Sequence, residues 1–276
     1  MITGQHGFEL RGETAQLRRL LSDAWGARYI LHAISRRDFF TRYRRPTLGV
    51  VWSVIAPVVQ ASILAVVFTK VVRVQTSIPY LVFVLSGVIA WTFFSSTLGS
   101  GVRAITGGSG LASKVYFPRC ILPLTNVGTS LYGYVPSVVV LLIAALAYGI
   151  DVTPHWLMLV PATVVMILLT SAFVLVLAAL QVYFRDIAFI LGVIIQGWFY
   201  GSGVFFPIAR VPEGLLRNLV VANPATGMVE LFRVAFLGFG PWTLVALWWT
   251  LGWTAALFGF AALLYRRYDR VFVDLL

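Results

Sequence analysis

Six stretches of this chain contain no Asp, Glu, Lys or Arg: residues 46–69, 74–102, 120–150, 152–184, 187–209 and 234–265. At 1.5 Å per helical residue, each is long enough to cross a hydrocarbon core of roughly 30 Å. Backbone amides find no water at that depth, so crossing segments must bond internally. Charged residues are 11% of the chain and hydrophobic residues 59%, against a usual charged share of about 25%. The expected fold is an all-α polytopic membrane protein of six transmembrane helices, near 49–69, 78–102, 120–150, 154–184, 187–209 and 234–265.

The charges between these runs set an orientation. Arg36, Arg37, Arg42, Arg44 and Arg45 end where the first apolar run begins at Pro46. Such a block stays on the cytoplasmic side, because guanidinium groups cross lipid at high cost and anionic inner-leaflet lipids attract them. With six spans and both ends inside, only Lys70, Arg73, Arg210, Arg217 and Arg233 fall outside, leaving 16 of the 21 Lys and Arg within. The net charge of +11 therefore reads as topology, not nucleic-acid binding. A single Cys120 and three scattered histidines rule out a disulfide framework and give no zinc site.

Residues 1–24 mix acids and bases with no apolar core of a signal peptide and read as a cytoplasmic tail, as do 266–276. Residues 25–45 read as an amphipathic helix at the cytoplasmic interface, with a solvated charged tail as the alternative. The third run, 31 residues or about 46 Å if helical, must tilt, kink at Pro123 or Pro136, or project from the bilayer. Arg185 and Asp186 form a tight cytoplasmic turn. The fifth run holds Gly192, Gly197, Gly201 and Gly203, small residues that allow packing inside the bundle or against a second copy. Residues 210–233 are broken by Pro212, Gly214 and Pro224 and read as a re-entrant pair of short helices at the outer face.

Catalytic equipment is hard to find in this sequence. Gly108 to Lys114 has phosphate-loop spacing, but Ser113 precedes the lysine and Val115 follows it where glycine and Ser/Thr are needed. No carboxylate lies between Pro46 and Ile150, which disfavours proton or sodium coupling. Energy must come from elsewhere. The aromatics serve chiefly as interfacial belts and packing. Those within spans near glycine or proline, Trp52, Trp91, Phe94, Tyr132, Tyr134, Trp198 and Tyr200, are candidate faces on which sugar rings stack in a channel.

Several motifs, in order, resemble a known family. Arg37-Asp38, Arg42-Tyr43-Arg44, Leu48-Gly49, Trp52 and Pro57 are similar to the start of the first span in ABC-2 type polysaccharide exporter permeases. The likeness continues at Trp91-Thr92-Phe93-Phe94, at Lys114 to Arg119 with Leu122-Pro123, at Val182 to Ile187, and at Asn223-Pro224 with Phe232-Arg233. It covers nearly the whole chain from residue 25. Pro46 and Thr47 depart from the serine-containing pattern before Leu48-Gly49.

The resemblance implies a permease without its own ATPase site or bound cofactor. It implies pairing with a second copy and with two separate subunits that bind ATP and Mg, in the bacterial cytoplasmic membrane. The substrate would be a lipid-linked glycan such as an O-antigen-like chain or a galactan; an ABC-2 permease for a drug or lipid, or an ion-coupled transporter, are the alternatives. Arg36, Arg37, Asp38, Lys114, Tyr116 and Arg119 would then contact the ATPase, the last three in a coupling loop over 103–119. Arg42, Tyr43, Arg44 and Arg45 would meet the lipid diphosphate, since arginine offers a fork of donors to phosphate oxygens. Pro207, Asn223, Pro224, Glu230 and Arg233 would belong to an outer gate.

Overall fold

Every regular element is helical, and no strand occurs among the described residues. We describe residues 28–74, 76–107 and 120–268 from a computed structural model. Helix α1 covers Arg28–Arg42. A 3-10 turn at Gly49–Val51 leads into α2, Trp52–Val66, which loosens into a π-helical turn at Val67–Val71. Then come α3 (Tyr80–Gly101), the four-residue α4 (Ala104–Gly107) and α5 (Ile121–Ala147). A 3-10 turn at Pro154–Met158 precedes α6 (Leu159–Tyr183) and α7 (Ile187–Gly201). The chain ends in α8 (Leu215–Ala222), α9 (Pro224–Leu237) and α10 (Thr243–Tyr268).

Five stretches are long and apolar enough to cross a membrane, and α8 with α9, bent by 77°, make a sixth only if counted as one span. Cavity walls argue against that count. Pro207 and Ile208 before α8, Leu237 at the end of α9, and Thr243 at the start of α10 line one common cavity. The pair thus leaves and returns to the same end. Thr250 donates to the carbonyl of Pro224 at 2.8 Å, seven residues below Thr243 on α10. The vertex therefore lies about 10 Å below that end.

Helix α7 is apolar but shorter than the five crossing stretches. The expected helix over 187–209 stops at Gly201 after 15 residues, about 22 Å, because Gly203 turns the chain at φ 70°. The remaining distance is covered by irregular backbone, and Pro207 arrives beside Ser77, ahead of α3. The expected span 234–265 also shifts: its first residues complete α9, Gly238 at φ 72° ends that helix, and α10 starts only at Thr243. Of the expected interface helix 25–45, Arg28–Arg42 is helical and 25–27 lie outside the described residues.

Helix α3 is the hub. Of its most apolar 18-residue window 78% is buried within the chain, against 11% for α2 and 22% for α5 and α10. It packs on α2, α5, α6 and α9. Besides Gly101, where a Cβ would strike Val174, two close approaches between helices need glycine. A Cβ on Gly128 would collide with Ser35, so α1 seats directly on α5; one on Gly227 would strike Thr250 and the Ala246 carbonyl, where α9 meets α10. Helix α7 is nearly bare, with only Leu191 buried and open space at Gly192 and Gly197.

Candidate functional site

Serine and threonine in an apolar helix bond back to the preceding turn, which lets them sit in hydrocarbon without an orphan donor. Several converge beneath the end of α1. Thr129 of α5 donates to the Thr125 carbonyl at 2.8 Å, Ser137 to the Gly133 carbonyl at 2.9 Å, and Ser53 of α2 to the Val50 carbonyl at 2.7 Å. Thr97 of α3 donates to Ser130 at 2.7 Å. Ser53, Thr129, Ser130 and Ser137, with Thr92 and Ser96 of α3, wall a cavity of about 130 Å³ between α1, α2, α3 and α5.

Four sequence-predicted residues meet there: Arg42, Tyr43, Trp52 and Tyr134. Among the described residues, Arg42 is the one basic residue lining it. Arg42 is exposed and Tyr43 half-buried, while Phe39 anchors the rim through rings 5.0 Å from Tyr43 and 5.5 Å, stacked, from Tyr132. Tyr132 itself sits under α1, its hydroxyl 3.2 Å from His32 Nδ1. Arg44 and Arg45 are exposed and do not line the cavity. Arg36 lies 5.9 Å over the Phe40 ring, and Arg37 pairs with Asp38 at 2.9 Å on the surface. Lys114, Tyr116 and Arg119 lie outside the described residues.

The other aromatic candidates are placed elsewhere. Trp91, 4% exposed, and Phe94, fully buried, form with Phe173 and Trp198 a cluster of rings 5.3–6.3 Å apart inside the bundle. Tyr200 is 65% exposed at the end of α7. The Arg185-Asp186 turn is exposed, and the sequence reading overlooked what holds it. Buried Gln181 donates to the Arg185 carbonyl at 2.9 Å and accepts from the Ala188 amide at 2.8 Å. A lone amide side chain one turn before the charged pair was the available signal.

At the opposite end, side chains grip the turn that follows α7. Asn223 donates to the Gly201 carbonyl at 2.9 Å, and its oxygen accepts from Trp198 Nε1 at 2.8 Å and from the Ala225 amide at 3.0 Å. The last bond caps α9, with Pro224 supplying the preset first turn. Tyr80 donates to the Phe205 carbonyl and Arg233 to that of Val204. Arg233 is 2% exposed; it also pairs with Glu230 at 2.6 Å and lies 3.7 Å over the Phe83 ring. Both charged residues, with Pro207, line a second cavity of about 260 Å³. Tyr80, Phe83 and Val204 were not singled out from the sequence. Among the described residues no group of three His, Cys, Asp or Glu gathers to hold a metal ion.

Residues 29–237 match the family described as ABC-2 type transporter. The chain is 30% identical over 220 residues to the O-antigen export system permease protein RfbA of Myxococcus xanthus, covering 79% of this chain and 84% of that one. It is 26% identical over 210 residues to the protein of that name from Klebsiella pneumoniae, 75% of this chain and 80% of that one. The polysialic acid transport protein KpsM of Escherichia coli is 26% identical over 214 residues, 75% of this chain and 81% of that one. A bundle of long apolar helices and a family match over most of its length lead to one assignment: the chain is a multi-pass membrane protein of the ABC-2 type transporter family.

Proposed function

We propose that this chain is the membrane-spanning subunit of an exporter that carries a polyprenyl-diphosphate-linked polysaccharide outward across the bacterial cytoplasmic membrane. Two copies would pair with two separate ATP-binding subunits, whose ATP and Mg supply the energy. The observation that carries the reading is the cavity under α1, where Arg42 and Tyr43 stand at the rim of a hydroxyl-lined space. A diphosphate is an anion with several acceptor oxygens, and a guanidinium answers it with parallel donors. The serine and threonine hydroxyls behind it, their protons held by carbonyls of the preceding turn, present acceptor lone pairs, which suit the hydroxyls of the sugar attached to that diphosphate. The three relatives, named for O-antigen export and polysialic acid transport, support the substrate class.

The remaining roles follow that scheme. The exposed Arg36, Arg37 and Asp38, with the coupling loop, would face the ATPase on the cytoplasmic side. The α8–α9 pair would close the outer end as a gate. The exposed apolar faces of α2 and α7, including Ile63, Val66 and Val193, would meet lipid and the second copy.

Because Arg42 lines the cavity and Arg44 and Arg45 do not, substitutions should separate them. Arg42→Ala is expected to lower surface glycan at least tenfold, since a charge-assisted hydrogen bond is worth about 1.5–3 kcal/mol. The double change Arg44→Ala with Arg45→Ala should cost less. Co-purification with the ATP-binding subunit checks that each variant assembles. Normal surface glycan in an assembled Arg42→Ala complex would refute the role given to this cavity.

A further inference from the structure

Two amide side chains lie where nothing in the protomer answers them. Gln60 is the middle residue of the apolar stretch Gly49–Val71, and Gln196 lies in the second half of α7. Both are exposed, and neither has a hydrogen-bond partner among the described residues. By contrast, the side chains of Asn126, Gln181 and Asn223 are all bonded to backbone carbonyls. An amide carries two donors and an acceptor, and hydrocarbon meets none of them, so an unpaired glutamine at this depth is costly.

The two positions match. Helix α3 returns to the end from which α2 starts, and there Arg103 lies 5.6 Å over Phe189 in the first turn of α7. At the other end Phe68, past α2, meets Phe205, past α7, with ring centroids 5.0 Å apart. The two helices therefore run the same way. Measured from Gly49 and Ile187, the amides stand about 16 and 14 Å along their helices, at nearly one depth. A small exposed residue precedes each by one turn, Ala56 before Gln60 and Gly192 before Gln196, and the space over Gly192 is open. Small residues beside a polar one let another helix come close enough to bond across the contact. Lipid could fill that space, but it would leave both amides unanswered. A second copy answers them, because a two-fold axis along the membrane normal brings α2 of one copy against α7 of the other, and the reverse, at equal depth.

We propose that α2 of each copy packs on α7 of the other, with Gln60 hydrogen-bonded to the partner's Gln196 in two symmetric amide pairs that fix the register of the copies in the bilayer. This clasp rests on the two-copy reading above, and it holds whatever cargo the pair carries.

The clasp can be tested in membranes that contain the full complex, on Cys120→Ser copies carrying one further cysteine each. Copies with Gln60→Cys, mixed with copies with Gln196→Cys, are expected to be joined by a short bifunctional thiol reagent. A mixture that yields no linked pair overturns the proposal. Association of the full chain is then followed by energy transfer between labelled copies in liposomes of increasing lipid content. Gln60→Leu or Gln196→Leu alone strands the opposite amide and should weaken association by about threefold or more. Both changes together should bring it back near the native value, because replacing both partners with apolar groups leaves nothing unpaired. Losses that add overturn the pairing. Unchanged association in the single variants overturns it too, with the glutamines facing lipid if surface glycan stays normal and facing the cargo if it falls. A native chain that is monomeric within the complex would sink the two-copy reading; a dimer whose mixed cysteines do not link sinks the clasp alone.

Discussion

Arg233 depends on Glu230 more than on any general property of its helix. Removing one partner of a buried ion pair leaves the other charge stranded, typically costing about 3–5 kcal/mol. Glu230→Ala should therefore lower the thermal midpoint of the purified protein markedly, whereas Glu213→Ala should barely move it, because that carboxylate is 88% exposed. Arg233→Lys is expected to fail as a replacement, since a single ammonium cannot reach Glu230 and the Val204 carbonyl as a fork does while lying flat on Phe83. The sequence made both charged partners conspicuous, because intramembrane charge is rare. It could not reveal Val204, 29 residues away, whose contribution is a backbone carbonyl. At the α1 cavity the same division holds: Arg42 and Tyr43 stood out by type, while Ser53, Thr129 and Ser130 were invisible among many hydroxyls.

At the scale of elements, α1 and α7 show two ways of being held. Helix α1 is seated by one contact line: Ser35 donates to the Thr125 carbonyl at 2.9 Å across the gap that Gly128 leaves open. Gly128→Val should force the helices apart, with a stability loss of about 1–3 kcal/mol and faster proteolysis of α1, measurable on the purified complex. Helix α7 is held at its ends, by Gln181 at one and by Asn223 near the other, with Trp198 in the ring cluster between. Asn223→Ala removes the cap of α9 as well as the Gly201 bond. It is expected to destabilise by about 1–2 kcal/mol and to raise hydrogen exchange across 199–206 selectively. Glycine richness in the fifth run allowed packing inside the bundle or against another copy. The open space at Gly192 and Gly197 leaves that surface outside the protomer core, a distinction that depends on which neighbours arrive and not on the glycines.

For the whole molecule, five helical stretches are long and apolar enough to cross a membrane, with α8 and α9 as a bent pair beside them. Single cysteines in a Cys120→Ser background test this together with its orientation. A cysteine at Glu213 is expected to react with an impermeant maleimide in intact cells, and one at Arg185 only after the membrane is opened. Reversed labelling would invert the orientation, and equal labelling of both would overturn the topology. By itself the sequence determined the membrane, the helical class and the basic end, because the cost of charge and unpaired amides in hydrocarbon acts locally on every residue. Only the tertiary structure decided that the fifth apolar run is a short helix continued by a gripped turn. It alone brought Arg42, Trp52 and Tyr134 to one cavity and sent Trp91 and Phe94 into the core, with half-buried Trp198 packed against them. Those outcomes rest on contacts between helices distant in sequence, and such contacts leave no period, charge gap or motif in the chain that makes them.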